Sequence, residues 1–449
     1  MGARVGTSAV QPRRLARRHT AMNRLPALLA SAILVVACAG ATSPAPASPA
    51  GIALARADVA RSTADPDRAA AAAEAINAFG LALYARMASE PGNLVLSPAS
   101  VAIALSMARV GARGTTADEM DAVLRDLGSD ELADAVNALD AALTARNGTF
   151  EDATGEEHDV TLRIANALFA QRDLELQAAF LDAMARRFGA GVRLVDYVAD
   201  VEAARRAIND WVAGQTEDRI PEILKPGDLS EMTRLALANA IYLKAPWLYP
   251  FPEDNTAPGT FRLADGSSIQ VPMMHLAETL PYADGDGWAA VELPYVGAEL
   301  AMLVVVPDEM AAFEAGFGPA VLAEIVVSLD TPHVDLWMPS FDIESRANLG
   351  ELLAALGMPA AFDPSQADFG GITTQEQLFI SAVIHQANMT VDEAGTEAAA
   401  ATVVGMDTTS APIDQVELRM DRPFLVVLRD RTTGAVVFLA RVADPAATR

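Results

Sequence analysis

Val391-Asp392-Glu393-Ala394-Gly395-Thr396-Glu397-Ala398-Ala399-Ala400-Ala401-Thr402 is the stretch on which the fold turns. It follows an alternating apolar segment, Phe379 to Thr390, that reads as a strand. Beyond it, Val403-Val404-Gly405-Met406-Asp407-Thr408-Thr409-Ser410-Ala411-Pro412 keeps no steady period. Strand-like sequence resumes at Val416 and runs through Phe424-Leu425-Val426-Val427-Leu428. A connection this long between two strong strands is uncommon in a compact domain unless it is functional or disordered. Placed in a strand, Thr396, Ala398, Ala400, Thr402 and Val404 share one face, all small or apolar. Glu397, the only charge between Gly395 and Met406, falls on the other face. Such a segment can stand in water, yet enter a sheet without bringing a charge or a bulky side chain into the core. Gly395 supplies backbone freedom at the entry point. The same residues also read as a surface helix, since Glu followed by four Ala has high helix propensity, and on these residues alone both readings stay open.

The flanking sequence carries further motifs, in order. They are Asn93-Leu94-Val95-Leu96-Ser97-Pro98-Ala99-Ser100 running on to Gly111-Ala112-Arg113-Gly114-Thr115-Thr116, and Ile208-Asn209-Asp210-Trp211-Val212 with Thr216, Ile220, Ile223 and Leu224. Asn239 to Trp247, Val271-Pro272-Met273-Met274, the 393–402 stretch and Leu418 to Leu428 complete the set. Together they resemble the serpin family of serine protease inhibitors, over nearly all of the sequence from Ala70 to Pro445. The resemblance implies an α+β fold of three β-sheets and eight or nine helices. It also implies an exposed reactive-centre loop over 393–415 and a metastable native state.

The mechanism implied by the resemblance is physical, not catalytic. A protease attacks the loop and is acylated; the cut loop then inserts into the main sheet and traps the enzyme. Glu393, Gly395, Thr396, Glu397, Ala398, Ala399, Ala400, Ala401 and Thr402 align with the loop hinge. Ser97, Ser100, Asn239 and His385 align with the shutter, a buried hydrogen-bond cluster beneath the sheet, and Trp247 and Glu393 with the breach where the loop enters. Relatives often pair the hinge glutamate with a lysine; here Trp337-Met338-Pro339-Ser340-Phe341 offers serine. Ala440 is a second departure, where relatives often have glycine. Counting the family spacing from Glu393 puts the reactive bond at Thr409–Ser410, with Met406–Asp407 as the alternative. Threonine suits elastase-like or subtilisin-like proteases. No Lys or Arg lies between Gly395 and Leu418, which disfavours a trypsin-like target.

Composition bounds the remainder. Met22-Asn23-Arg24 precedes an apolar run, Leu25 to Ala37, too short to span a membrane but suited to a signal peptide. Residues 1–37 are read as leader, with Met22 an alternative start. Leu34-Val35-Val36-Ala37-Cys38 is similar to a bacterial lipobox, which makes Cys38, the only cysteine, a candidate lipidation site; ordinary cleavage nearby is the alternative. Residues 38–70, rich in Ala, Pro and Ser, are read as a flexible tether, and 71–449 as one domain. A lone cysteine permits no internal disulfide.

The net charge of −26 repels phosphate backbones, so nucleic acid is not an expected partner. Asp118 to Asn147, the region that is basic in polysaccharide-binding relatives, is acidic and apolar here, so no glycosaminoglycan is expected. No cofactor or metal is expected, and the protein is read as a monomer. No Gly-x-Ser-x-Gly elbow, His-Glu-x-x-His pair or metal-spaced Cys/His cluster occurs, which argues against an enzyme. Taken alone, His385 reads as a satisfied core histidine. A non-inhibitory chaperone or carrier of the same fold is the rival reading, although such members often carry bulky, charged or proline residues in the hinge.

Overall fold

The structure, a computed structural model, describes residues 52–125, 129–397 and 415–447. These contain nine α-helices and three β-sheets, the α+β architecture expected from the sequence.

Five strands of the largest sheet set up everything that follows: β1 (Glu157–Gln171), β2 (Leu235–Pro246), β3 (Phe341–Asn348), β4 (Ala382–Val391) and the two-residue β5 (Gly395–Thr396). Their order across the sheet is β1-β2-β5-β4-β3. Strand β2 shows why the sheet is buried on both sides. Leu235, Leu237, Ile241, Leu243 and Ala245 face the main core, while Ala236, Ala238 and Ala240 face a second cluster with Ile208, Trp211 and Val212. The large residues pack against helix α1 (Pro98–Arg109), whose residues are all buried, as befits a helix apolar all round. The alanines allow helix α2 (Val201–Gln215) to lie close across the front.

Part of the stretch that composition reads as a tether is structured. Ala53–Ala55 pairs antiparallel with Val192–Val195 at the sheet edge, and Ile52 is buried. Ser62 N–H donates to the Arg186 carbonyl at 2.7 Å. The stretch read as a tether up to residue 70 therefore packs from Ile52 onward. A sheet edge has unpaired backbone groups that accept a strand without any hydrophobic period, and Gly191 makes room, since a Cβ there would sit 2.5 Å from the Ala55 carbonyl oxygen.

The second sheet, six strands from Leu94–Leu96 to Tyr282–Gly285, forms the centre of the core. The third has four strands. Its edge, Gln415–Arg419, runs parallel to His333–Pro339 and is where the described chain resumes after the loop. The two ends of the loop are thus held in different sheets.

Candidate functional site

Strands β2 and β4 run parallel and pair from Ala236–Ala382 up to Ala240–Gln386. Above that level no ladder joins them among the described residues, and β5 lies between them. Thr396 pairs antiparallel with Val391 on one side and Ala245 on the other, and Gly395 with Pro246. The start of the loop is therefore already seated in the main sheet.

Local chemistry explains this seat. The Asp392 carboxylate accepts the Ala394 and Gly395 N–H groups at 3.0 and 3.1 Å, folding the chain back after β4; burial raises its pKa. Gly395 has φ 153°, and a Cβ would meet the Ala245 carbonyl oxygen at 2.4 Å, so only glycine passes there. Thr396 is 3 % exposed, and its hydroxyl bonds Tyr295 Oη at 2.6 Å. Tyr295 stacks on Trp247 with ring centroids 4.6 Å apart. The Trp247 indole N–H donates to the Asp392 carbonyl at 3.0 Å, and its backbone N–H to the Ala394 carbonyl at 2.9 Å. Glu393 accepts from the Thr256 hydroxyl at 2.6 Å. The hydroxyl beside the hinge glutamate is thus that of Thr256.

Beneath the gap, Ser97, Ser100, Asn239 and His385 meet in one buried cluster. Ser97 caps α1 by accepting the Ser100 N–H at 3.2 Å. Its own N–H donates to His385 Nε2 at 3.1 Å, which leaves Nδ1 to donate to the Asn239 side-chain oxygen. The Asn239 amide donates to Ser100 Oγ at 2.6 Å and to Asn166. Asn239 and His385 are direct register partners across the β2–β4 junction, so parting these strands breaks this cluster.

Burial pushes the His385 pKa from 6.5 down to about 3, so the imidazole is neutral when folded and protonates near pH 6.5 when unfolded. The unfolded chain then binds the extra proton. This contribution to stability is complete above pH 6.5 and is lost as pH falls toward 3, at up to about 1.4 kcal/mol per pH unit. Thermal melts from pH 7 to 4 are expected to show a steeper fall for the wild type than for His385→Gln. Equal slopes would show that another group carries the acid sensitivity.

The register also fixes what further entry requires. Carried onward, Ala398 would face Met389 and Leu243, and Ala400 would face Ala387 and Ile241, all beside the part of the sheet where β2 and β4 are unpaired. Ala401 would meet the Gln386–Ala240 pair, and Thr402 the His385–Asn239 pair. In that continued strand positions 396, 398, 400 and 402 would fall on the core face, with Met389 and Leu243, and 397, 399 and 401 on the face under α2. Ala398 to Thr402, both candidate bonds (Thr409–Ser410 and Met406–Asp407) and Cys38 lie outside the described residues.

Asn166, Tyr295 and Thr256 were not singled out in the sequence. Asn166 had a signal: it interrupts the apolar face Val160, Leu162, Ile164, Leu168, Ala170 of β1. Asp152, Glu156 and His158 form the only group of metal-ligand type among the described residues. The Asp152 carboxylate is already occupied by the Thr154 and Glu156 N–H groups and by His158.

A sheet parted at one end, a loop whose first two residues occupy the gap and a buried polar cluster below define a class: α+β proteins whose main sheet holds the start of a long loop between two of its strands. The chain belongs to the serpin family. The model for serpins (serine protease inhibitors) matches residues 74–445. The chain is 36 % identical over 377 residues to an uncharacterised serpin-like protein of Thermococcus kodakarensis, covering 83 % of this chain and 85 % of that protein. It is 33 % identical to plasminogen activator inhibitor 1 of Bos taurus, over 84 % and 93 % of the two chains. It is 32 % identical to leukocyte elastase inhibitor A of Mus musculus, over 82 % and 97 %. Among solved structures, the thermophilic serpin tengpin in its native state superposes with a TM-score of 0.77 at 23 % identity, over 88 % of this chain and all of that one. Thyroxine-binding globulin in complex with thyroxine superposes with a TM-score of 0.73 at 28 % identity, over 84 % and 99 %.

Proposed function

We propose that this protein is an irreversible suicide-substrate inhibitor of serine proteases, not an enzyme. The target attacks Thr409–Ser410, is held as the acyl-enzyme and is displaced as the cut loop enters the main sheet between β2 and β4. The observation that carries this reading is the pairing of the loop's first residues with both strands: it puts the start of the loop where insertion would begin. The small residues that follow can continue it, and the mammalian relatives named above are called inhibitors. Threonine before the cut bond matches elastase-like or subtilisin-like primary pockets. The leader and Cys38 support an exported protein, anchored by a lipid or released. The domain acts as a monomer.

The test is incubation of the mature protein with elastase-, subtilisin-, chymotrypsin- and trypsin-like proteases, followed by denaturing gels and mass spectrometry of the cut. A covalent complex with an elastase- or subtilisin-like enzyme and a new end at Ser410 are expected. Clean cleavage by every enzyme, with no complex, would leave a substrate and sink the inhibitor reading.

A further inference from the structure

The chain leaving helix α2 crosses the front of the sheet and is stitched to three parts that insertion must move. The Arg219 carbonyl accepts from the Asn388 amide of β4 at 3.1 Å. The Ile223 carbonyl accepts from Arg346 Nε of β3 at 2.7 Å, and the same guanidinium pairs with Asp228. The Arg219 guanidinium lies 3.2 Å from the carboxylate of Glu397, the residue that follows the seated Thr396.

Glu397 is an unusual place for a charge. Its side chain is only 5 % exposed, against 37 % for Arg219. Its backbone has φ 52°, a conformation that a residue other than glycine rarely adopts without compensation. Its N–H still donates to the Thr390 carbonyl at 3.2 Å, so it is the last residue of the loop joined to β4 among those described. Without a cation beside it, a buried carboxylate would draw the hinge out toward water.

We infer that Arg219 is a positioning residue for loop insertion: by neutralising the Glu397 carboxylate it holds the hinge at its two-residue seat and sets the point from which insertion starts. The partner of this charge comes from the segment over the sheet. When the hinge straightens into a strand, position 397 falls on the face under that segment, so Arg219 accompanies the first charge that has to enter. This inference rests on the inhibitory reading for its consequence, but its structural half is testable without a protease.

In the free protein, hydrogen exchange of the peptide holding Asp392 to Glu397 is compared between the wild type, Arg219→Ala, Arg219→Lys and Arg219→Ala with Glu397→Gln. Arg219→Ala is expected to lose protection there, exchanging about tenfold faster, while peptides from the second sheet are unchanged. Arg219→Lys and the double variant are expected to keep most of the protection. Unchanged exchange in Arg219→Ala overturns the inference, as does a double variant as exposed as Arg219→Ala. The second readout is the stoichiometry of inhibition. Because the cation is partly exposed, the expected rise for Arg219→Ala is about two- to fivefold, removed by Glu397→Gln. A variant that merely melts earlier at unchanged stoichiometry also overturns the inference. A wild type that forms no covalent complex, yet shows the exchange pattern, leaves Arg219 in this role and instead defeats the inhibitory reading.

Discussion

Thr396→Arg is expected to be cut by the target protease and to release it, with little complex on a denaturing gel. In the proposed mechanism trapping is a race between two fates of the acyl-enzyme, insertion and hydrolysis, and Thr396 stands at the entrance to the first. Its side chain is enclosed between Val391 and Ala245, and its hydroxyl is bonded to Tyr295. An arginine there would place a charge against a stacked Tyr295–Trp247 pair that offers no carboxylate. An uncompensated buried charge costs about 3 kcal/mol or more, which slows entry roughly a hundredfold. Hydrolysis is untouched, since the cut bond is far from this residue in sequence. The measurements are the stoichiometry of inhibition and the ratio of complex to cleaved product; full-stoichiometry complex from this variant would show that the hinge does not enter where β5 lies.

Cleavage of the wild-type loop by a non-target protease is expected to raise the melting midpoint by about 15 °C, on roughly a dozen newly inserted residues at about 0.5–1.5 kcal/mol per ladder bond. On the proposed mechanism that energy would come from the unpaired part of the native sheet. Between Gln386–Ala240 and Val391–Ala245, β2 and β4 are not joined to each other, so insertion of residues 397–400 adds bonds before any existing ladder is broken. Deeper entry exchanges the pairs from Gln386–Ala240 to Ala382–Ala236 for two new ladders, one on each side of the incoming strand. Calorimetry of intact and cleaved protein checks this. An unchanged midpoint with the cut segment still sensitive to a second protease would mean that no energy is stored.

Much of this was legible in the sequence because it rests on periodicity. The separation of Thr396 from Glu397 onto opposite faces follows from a repeat of two, and in the structure Thr396 bonds Tyr295 while the Glu397 carboxylate lies 3.2 Å from Arg219 of the segment over the sheet. The family, the three sheets and the helix count came from motifs that keep their order along the chain. What remained hidden was set by contacts between distant segments that leave no local pattern. Tyr295 and Thr396 are 101 positions apart, and Glu393 and Thr256 137. Arg219 sits in a turn that reads only as polar connection. The packing of Ile52 to Arg68 was missed for a different reason: an edge strand joins by backbone bonds, to which composition is nearly blind.

If the loop inserts as proposed, its anchoring in two sheets would decide when the protein fires. Eighteen residues lie between Thr396 and Gln415, and Gln415 is held beside His333 in the third sheet. Each residue drawn into the main sheet advances the buried end by about 3.3 Å and shortens the bridge that must still reach the far anchor. An intact molecule is therefore on a short leash, and scission is the act that removes it. On the proposed mechanism the attacker would supply its own trigger, and because resetting would require resealing a peptide bond, each molecule would be spent on a single encounter. Protection by such a protein is counted in copies made, not in turnovers.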